Sequence, residues 1–173
     1  MGNIIYSVQQ DNLTTDMGIT PIFPNTIEDA SKEFEAGKQV VAGQCLALAQ
    51  NDASETILTV GSDASAVYGL AKETVNAAAD VNEVKDMGGY GIFGSGKITA
   101  CIFGVYEIKN FNYALSDGSV VEFKAMDVTN SVPGAILGSN ASGVIVEVDA
   151  TAASAFGSLI AVNEDTIQVK IGF

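Results

Sequence analysis

An all-β fold, a sandwich or small barrel built from two related β-units with an extended N-terminal arm, is what this sequence predicts, and three observations predict it. Short apolar runs recur along the chain, each bounded by Gly, Asn, Asp or Ser. Helical periodicity is almost absent. The stretch from Val40 to Leu70, VVAGQCLALAQNDASETILTVGSDASAVYGL, also returns in shortened form from Val132 to Leu159, VPGAILGSNASGVIVEVDATAASAFGSL. Gly43 aligns with Gly134 at an offset of 91, and Tyr68-Gly69 with Phe156-Gly157 at an offset of 88. The turn after the first strand is therefore expected to be three residues shorter in the second copy. Ile98 and Ile102 match Ile167 and Ile171 in the same way. Two units of one plan, the first with a large insertion, account for the pattern.

Residues 1-38 read as an arm. Its apolar clusters, Ile4-Ile5-Tyr6 and Ile22-Phe23, are separated by polar residues and by Pro21 and Pro24, which disfavour a core strand or a long helix. Asn25 or Thr26 is placed to cap one short helical stretch, IEDASKEF, with acids in its first turn. Residues 39-173 form the β-domain, with units at about 40-103 and 132-173 linked by a hairpin segment, 104-131. Residues 44–48 and 55–60 are strands, and Asn51 to Ser54 supply turn chemistry between them. Leu70 to Met87 lacks an apolar stripe and reads as a loop with one helical turn at most. Gly104 marks a bend between strands 98–103 and 105–108, and Asp117-Gly118 is a strong hairpin signal. The last strand, 166–171, tucks the C-terminal residues into a sheet.

Composition narrows the function. The formal charge is −13, the eight basic residues are all Lys, and there is no His, Arg or Trp. Nucleic-acid binding needs Lys and Arg to neutralise phosphates, so this balance argues against it, and equally against anionic membranes. Without His, Ser-His and Cys-His nucleophiles and His-containing zinc sites are excluded. Hydrophobic residues make up 47% of the chain against 17% charged, which points to surface committed to partners. No apolar run is long enough for a membrane span, and no signal-peptide pattern opens the sequence. Cys45 and Cys101, each in an apolar strand, read as buried thiols acting as small hydrophobes.

The motifs weigh against catalysis, metal and cofactor. Gly91 to Lys97 fits GxxxxGK, but Ile98 stands where a phosphate loop needs Ser or Thr, and a strand follows where a helix should. Asp80, Glu83 and Asp86 cluster, and Asp63, Asp149 and Asp165 sit near loops, yet with 21 acids such groupings arise by chance and read as solvated faces. The sequence therefore predicts no enzyme, no metal and no cofactor.

The run from Ala42-Gly43 through an apolar strand, polar turn, second strand and small-residue loop to Tyr68-Gly69-Leu70-Ala71 resembles the capsid decoration, or structural cement, proteins of tailed bacteriophages. GGYGIFGSGKIT followed by FGVYEIKN is similar to segments of phage virion structural proteins, and the resemblance covers roughly Val40 to Phe173. It implies a β-rich homotrimer made in the host cytoplasm and carried on the capsid exterior, where it clamps the major capsid protein through a terminal arm. Ile4, Ile5, Tyr6, Ile22 and Phe23 are the expected partner contacts. The long insertion from about Asn76 to Ser95 departs from the pattern, and the absence of Arg weakens docking by salt bridges. Two other readings stand beside it: a tail-tube or head-tail connector subunit, and a carbohydrate-binding module stacking sugars on Tyr90, Tyr106 and Tyr113.

Overall fold

A computed structural model describes residues 19–22, 26–35, 39–40, 42–72, 75–76, 97–109, 111–114, 120–123, 126–127, 131–163 and 166–172. They contain strands and turns and no helix, and the main sheet is a curled, almost wholly antiparallel half-barrel. The strands are β1 (Ile19–Pro21), β2 (Ile27–Glu33), β3 (Gln39–Val40), β4 (Cys45–Gln50), β5 (Thr56–Val60), β6 (Gly69–Ala71), β7 (Val75–Asn76), β8 (Lys97–Lys109), β9 (Phe111–Ala114), β10 (Val120–Phe123), β11 (Met126–Asp127), β12 (Ile136–Ser139), β13 (Ile145–Glu147), β14 (Gly157–Val162) and β15 (Thr166–Ile171). The main sheet runs β11-β13-β12-β14-β15-β8-β6-β4-β5, with β1 and β2 also on β8, while β9–β10 and β3–β7 form separate pairs.

The echo in the sequence is a repeat in space. Leu46 pairs with Gly69 as Leu137 pairs with Gly157, and Ala71 with Ala100 as Leu159 with Val169. The hydrogen bonds coincide too: the amide of Gly43 donates to Ala71 O at 2.7 Å and that of Gly134 to Leu159 O at 2.8 Å. Both of these glycines take a positive φ, 86° and 93°. At the far side of each unit a parallel contact curls the sheet back, Phe34 against Leu58 and Met126 against Ile145.

One detail differs from expectation. The two hairpin turns are alike, each closed by an asparagine whose Oδ1 accepts two backbone amides, Ala53 and Glu55 for Asn51, Ser142 and Val144 for Asn140. It is the strands that shorten, six and five residues in β4 and β5 against four and three in β12 and β13. The following loop takes one residue back, which leaves the expected net of three.

Each unit has its own core on the same inner face. Leu46, Leu58, Ala71, Ile98 and Ala100 line the first, and their counterparts Leu137, Ile145, Leu159, Ile167 and Val169 line the second. The second core does not stop there, because Cys45, Leu70 and Cys101 from the other face of the first unit belong to it. The sheet β4-β6-β8 is therefore a wall between two cores, which is why its strands read as unbroken apolar runs of small and medium residues. The cysteines are free and buried, as expected. Each is a lateral neighbour of Leu70 on opposite sides of β6, so two strand spacings of about 4.8 Å separate them, too far for a disulfide.

The N-terminal residues need correction. The stretch expected to form a capped helix is β2, antiparallel to β8 with two register irregularities. Carboxylates on it and just past it take donors from the first unit: Lys72 Nζ donates to Glu28 at 2.5 Å, Tyr68 to Asp29, and Thr59 to Glu35. Phe34, just beyond, is buried in the first core. β1 lies along the second half of β8, with Ile19 opposite Ile108 and Pro21 closing the strand.

Candidate partner-contact surface

Strand β8 serves both units and bends at Gly104, where φ is +125° and a Cβ would meet Thr26. Before the bend it pairs with β6 and β2, after it with β15 and β1. The N-terminal strands thus cross at the junction of the units, and large apolar side chains are exposed there: Ile22 (36%), Ile27 (54%) and Phe103 (42%). Ile27 and Phe103 are cross-strand partners and so share a face. The Phe103 ring lies against Gly172, and the amide of Ile22 donates to Val105 O at 2.9 Å.

Register continues this surface over the outer face of the second unit. Ile136 pairs with Ser158, Ser158 with Lys170 and Lys170 with Val105. Glu107 flanks the row and is met by Gln168 Nε2 at 3.5 Å. Lys72 and Glu28 form an ion pair, and Lys170 is exposed.

Of the residues expected to contact a partner, Ile22 is on this surface, while Ile4, Ile5, Tyr6 and Phe23 lie outside the described residues. Ile27 and Phe103 were not anticipated. The helical reading of IEDASKEF hid Ile27, and nothing local marks which face of its strand Phe103 occupies. The sugar-stacking reading loses Tyr106, which is buried beside Ile108 and Val169 with its hydroxyl donating to Phe103 O at 3.2 Å. Tyr90 and the Tyr113 side chain lie outside the described residues, as do residues 91–96 of the GxxxxGK run and Asp80, Glu83, Asp86 and Asp165. Lys97, Asp63 and Asp149 are exposed, and among the described residues no group of three potential metal ligands is assembled.

Two buried acids are strongly shifted. Burial pushes the Cys45 thiol up to about 12, against a weaker opposing hydrogen bond from Ser139, and burial raises the Tyr106 phenol, with Cys101 adding to it. Both groups are held neutral, which suits packing and not nucleophilic chemistry.

No family model and no curated protein matches the chain. Among solved structures it is similar to the head fiber gp8.5 N base in bacteriophage phi29, at 11% identity over 85% of this chain and 94% of that chain, with a TM-score of 0.44. At that identity and score the likeness carries no functional argument.

Proposed function

We propose that the protein is a virion structural protein of a tailed bacteriophage, a capsid decoration protein that binds the outer surface of the head and reinforces contacts between capsomers without catalysis. The observation that carries this reading is the exposed apolar surface around Ile22, Ile27 and Phe103 on an acidic all-β chain. Such a surface gains free energy only when another protein covers it. The sequence resemblance supplies the class of partner, the major capsid protein, and the expected assembly, a homotrimer. In this reading Ile4, Ile5, Tyr6 and Phe23 reach the shell together with the exposed surface at Ile22, Ile27 and Phe103.

The test is to mix purified chain with phage heads that lack it and measure co-sedimentation together with resistance of the heads to heat. Saturable binding that raises the temperature of head disruption is the expected result. Assembly of the chain into tubes, or failure to adsorb, would return the protein to the tail-tube or connector reading.

A further inference from the structure

We infer that the residues just ahead of Ile19 add a third strand to the β9–β10 pair, continuing the ladder that β1 makes with β8. The repeat shows that this hairpin is an addition to the β-plan. In the first unit Glu33, opposite Lys97, is followed directly by Phe34, which makes the parallel contact with Leu58. In the second unit Lys109, opposite Thr166, stands where Glu33 does, and Met126 against Ile145 stands where Phe34 does. Residues 110–125 are inserted between the two, and they carry β9 and β10. Among the described residues these two strands pair only with each other. A lone two-stranded hairpin is marginal in water and needs a third strand or a packed face.

Register selects the occupant. β1 is antiparallel to β8, with Ile19 opposite Ile108 and Thr20 opposite Glu107, and the amide of Ile22 keeps that register on Val105 O. Each step back along the N-terminal residues therefore meets one step forward along β8. Only Asn110 separates the end of β8 from the start of β9. Carried forward, the register sets Asp16 opposite Phe111, Thr15 opposite Asn112, Thr14 opposite Tyr113 and Leu13 opposite Ala114. The segment is thus delivered beside β9 already antiparallel to it, with no loop to close and no separate chain to capture. Its threonines suit an edge strand. For the decoration reading this means that part of the arm is ordered before it meets the shell, with Ile4, Ile5 and Tyr6 leaving the fold past Ala114. That consequence rests on the decoration reading, whereas the pairing does not.

The experiment is hydrogen exchange of the full chain, without heads, beside the same chain carrying Thr14→Pro and Asp16→Pro. In this register both residues donate to β9, since they alternate in step with Ile22, whose amide donates to β8, and proline removes the donor. The expected result is slow exchange across β9 and β10 in the wild type, accelerated about tenfold or more by the prolines while the main sheet is unmoved. A disulfide is expected between Thr15→Cys and Asn112→Cys, with the buried Cys45 and Cys101 not competing. None is expected between Thr15→Cys and Glu122→Cys, because Glu122 lies one strand spacing beyond Asn112. Fast exchange of β9 and β10 in the wild type, protection that the prolines leave intact, or failure of the first disulfide overturns the inference. Protection that rises with protein concentration means that a second copy covers the hairpin, and protection that appears only on heads means that the shell does; either overturns it. The first disulfide, formed in a chain that ignores heads, supports the pairing and removes the decoration reading. Head binding by a chain that cannot form it does the reverse.

Discussion

Gly157 shows why an aromatic is followed by glycine in both copies of the repeat. A Cβ there would run into the carbonyl of Lys170, and one at Gly69 would sit 2.6 Å from the carbonyl of Cys101, the equivalent residue. The aromatic ahead of each glycine packs on its unit's core, Phe156 buried and Tyr68 half-buried with its hydroxyl on Asp29. Gly157→Ala is therefore expected to destabilise by at least the 1–3 kcal/mol or so typical of overpacking. Gly134→Ala meets no atom within 4 Å and costs only the strain of its φ of 93°, about 1–2 kcal/mol. Urea melts of the two variants rank them, and equal costs would mean that β14 shifts freely away from β15. Alkali tests the buried acids. Their folded pKa values lie above the ordinary 9.0 for a thiol and 10.0 for a phenol, so the folded state binds the proton more tightly than the unfolded one. Their contribution is complete below about pH 9 and is lost as pH climbs through the folded values. Stability should be flat in this respect at neutral pH and fall from about pH 9 towards 12, with Cys45 slow to alkylate until the protein unfolds. Rapid alkylation of native protein at pH 9 would contradict the burial.

Strand β2 decides where the N-terminal boundary lies. Cutting after residue 38 removes Ile19 and Phe34, each worth roughly 1.5–3 kcal/mol of burial, together with the pairing of β1 and β2 to β8. Against a total stability on the order of 5–15 kcal/mol that is a severe loss. Cutting after residue 18 removes no described strand. The shorter chain 19–173 is expected to melt within a few degrees of the full chain and to bind heads more weakly, since it keeps Ile22, Ile27 and Phe103 but loses Ile4, Ile5 and Tyr6, whereas 39–173 is expected to aggregate. Head binding as tight in 19–173 as in the full chain would place the whole shell contact on the β-body. This boundary was illegible in the sequence for a physical reason. Glu28 and Asp29 look like the acids of a helix N-terminus, yet they serve as acceptors for Lys72 and Tyr68, partners far along the chain. The register of the repeat was legible, because the glycines and isoleucines at fixed offsets are the residues that meet across strands. The contact surface was only half legible. Ile22 belongs to a visible apolar cluster, but Ile27 and Phe103 become neighbours only once β2 lies on β8.

The two units form one cooperative body, because the second borrows part of its core from the first. Leu137, Ile145, Phe156, Leu159, Ile167 and Val169 pack on Cys45, Leu70 and Cys101, and β8 threads through both halves as a single strand. Taken alone, residues 132–173 would leave that inner face in water, without Tyr106 and Ile108 to cover its edge. A chain of this size with one shared wall should unfold in a single transition. Leu70 is the informative position, since it is fully buried between the cysteines at the centre of the wall. Leu70→Ala is expected to cost about 2–5 kcal/mol and to lower the whole melting curve while keeping one transition. Calorimetry checks this through the agreement of calorimetric and van't Hoff enthalpies, and circular dichroism of the fragment 132–173 should show no sheet. Two transitions, with only one of them moved by Leu70→Ala, or a fragment that folds by itself, would mean that each unit carries a complete core and that the wall is a contact between independent halves.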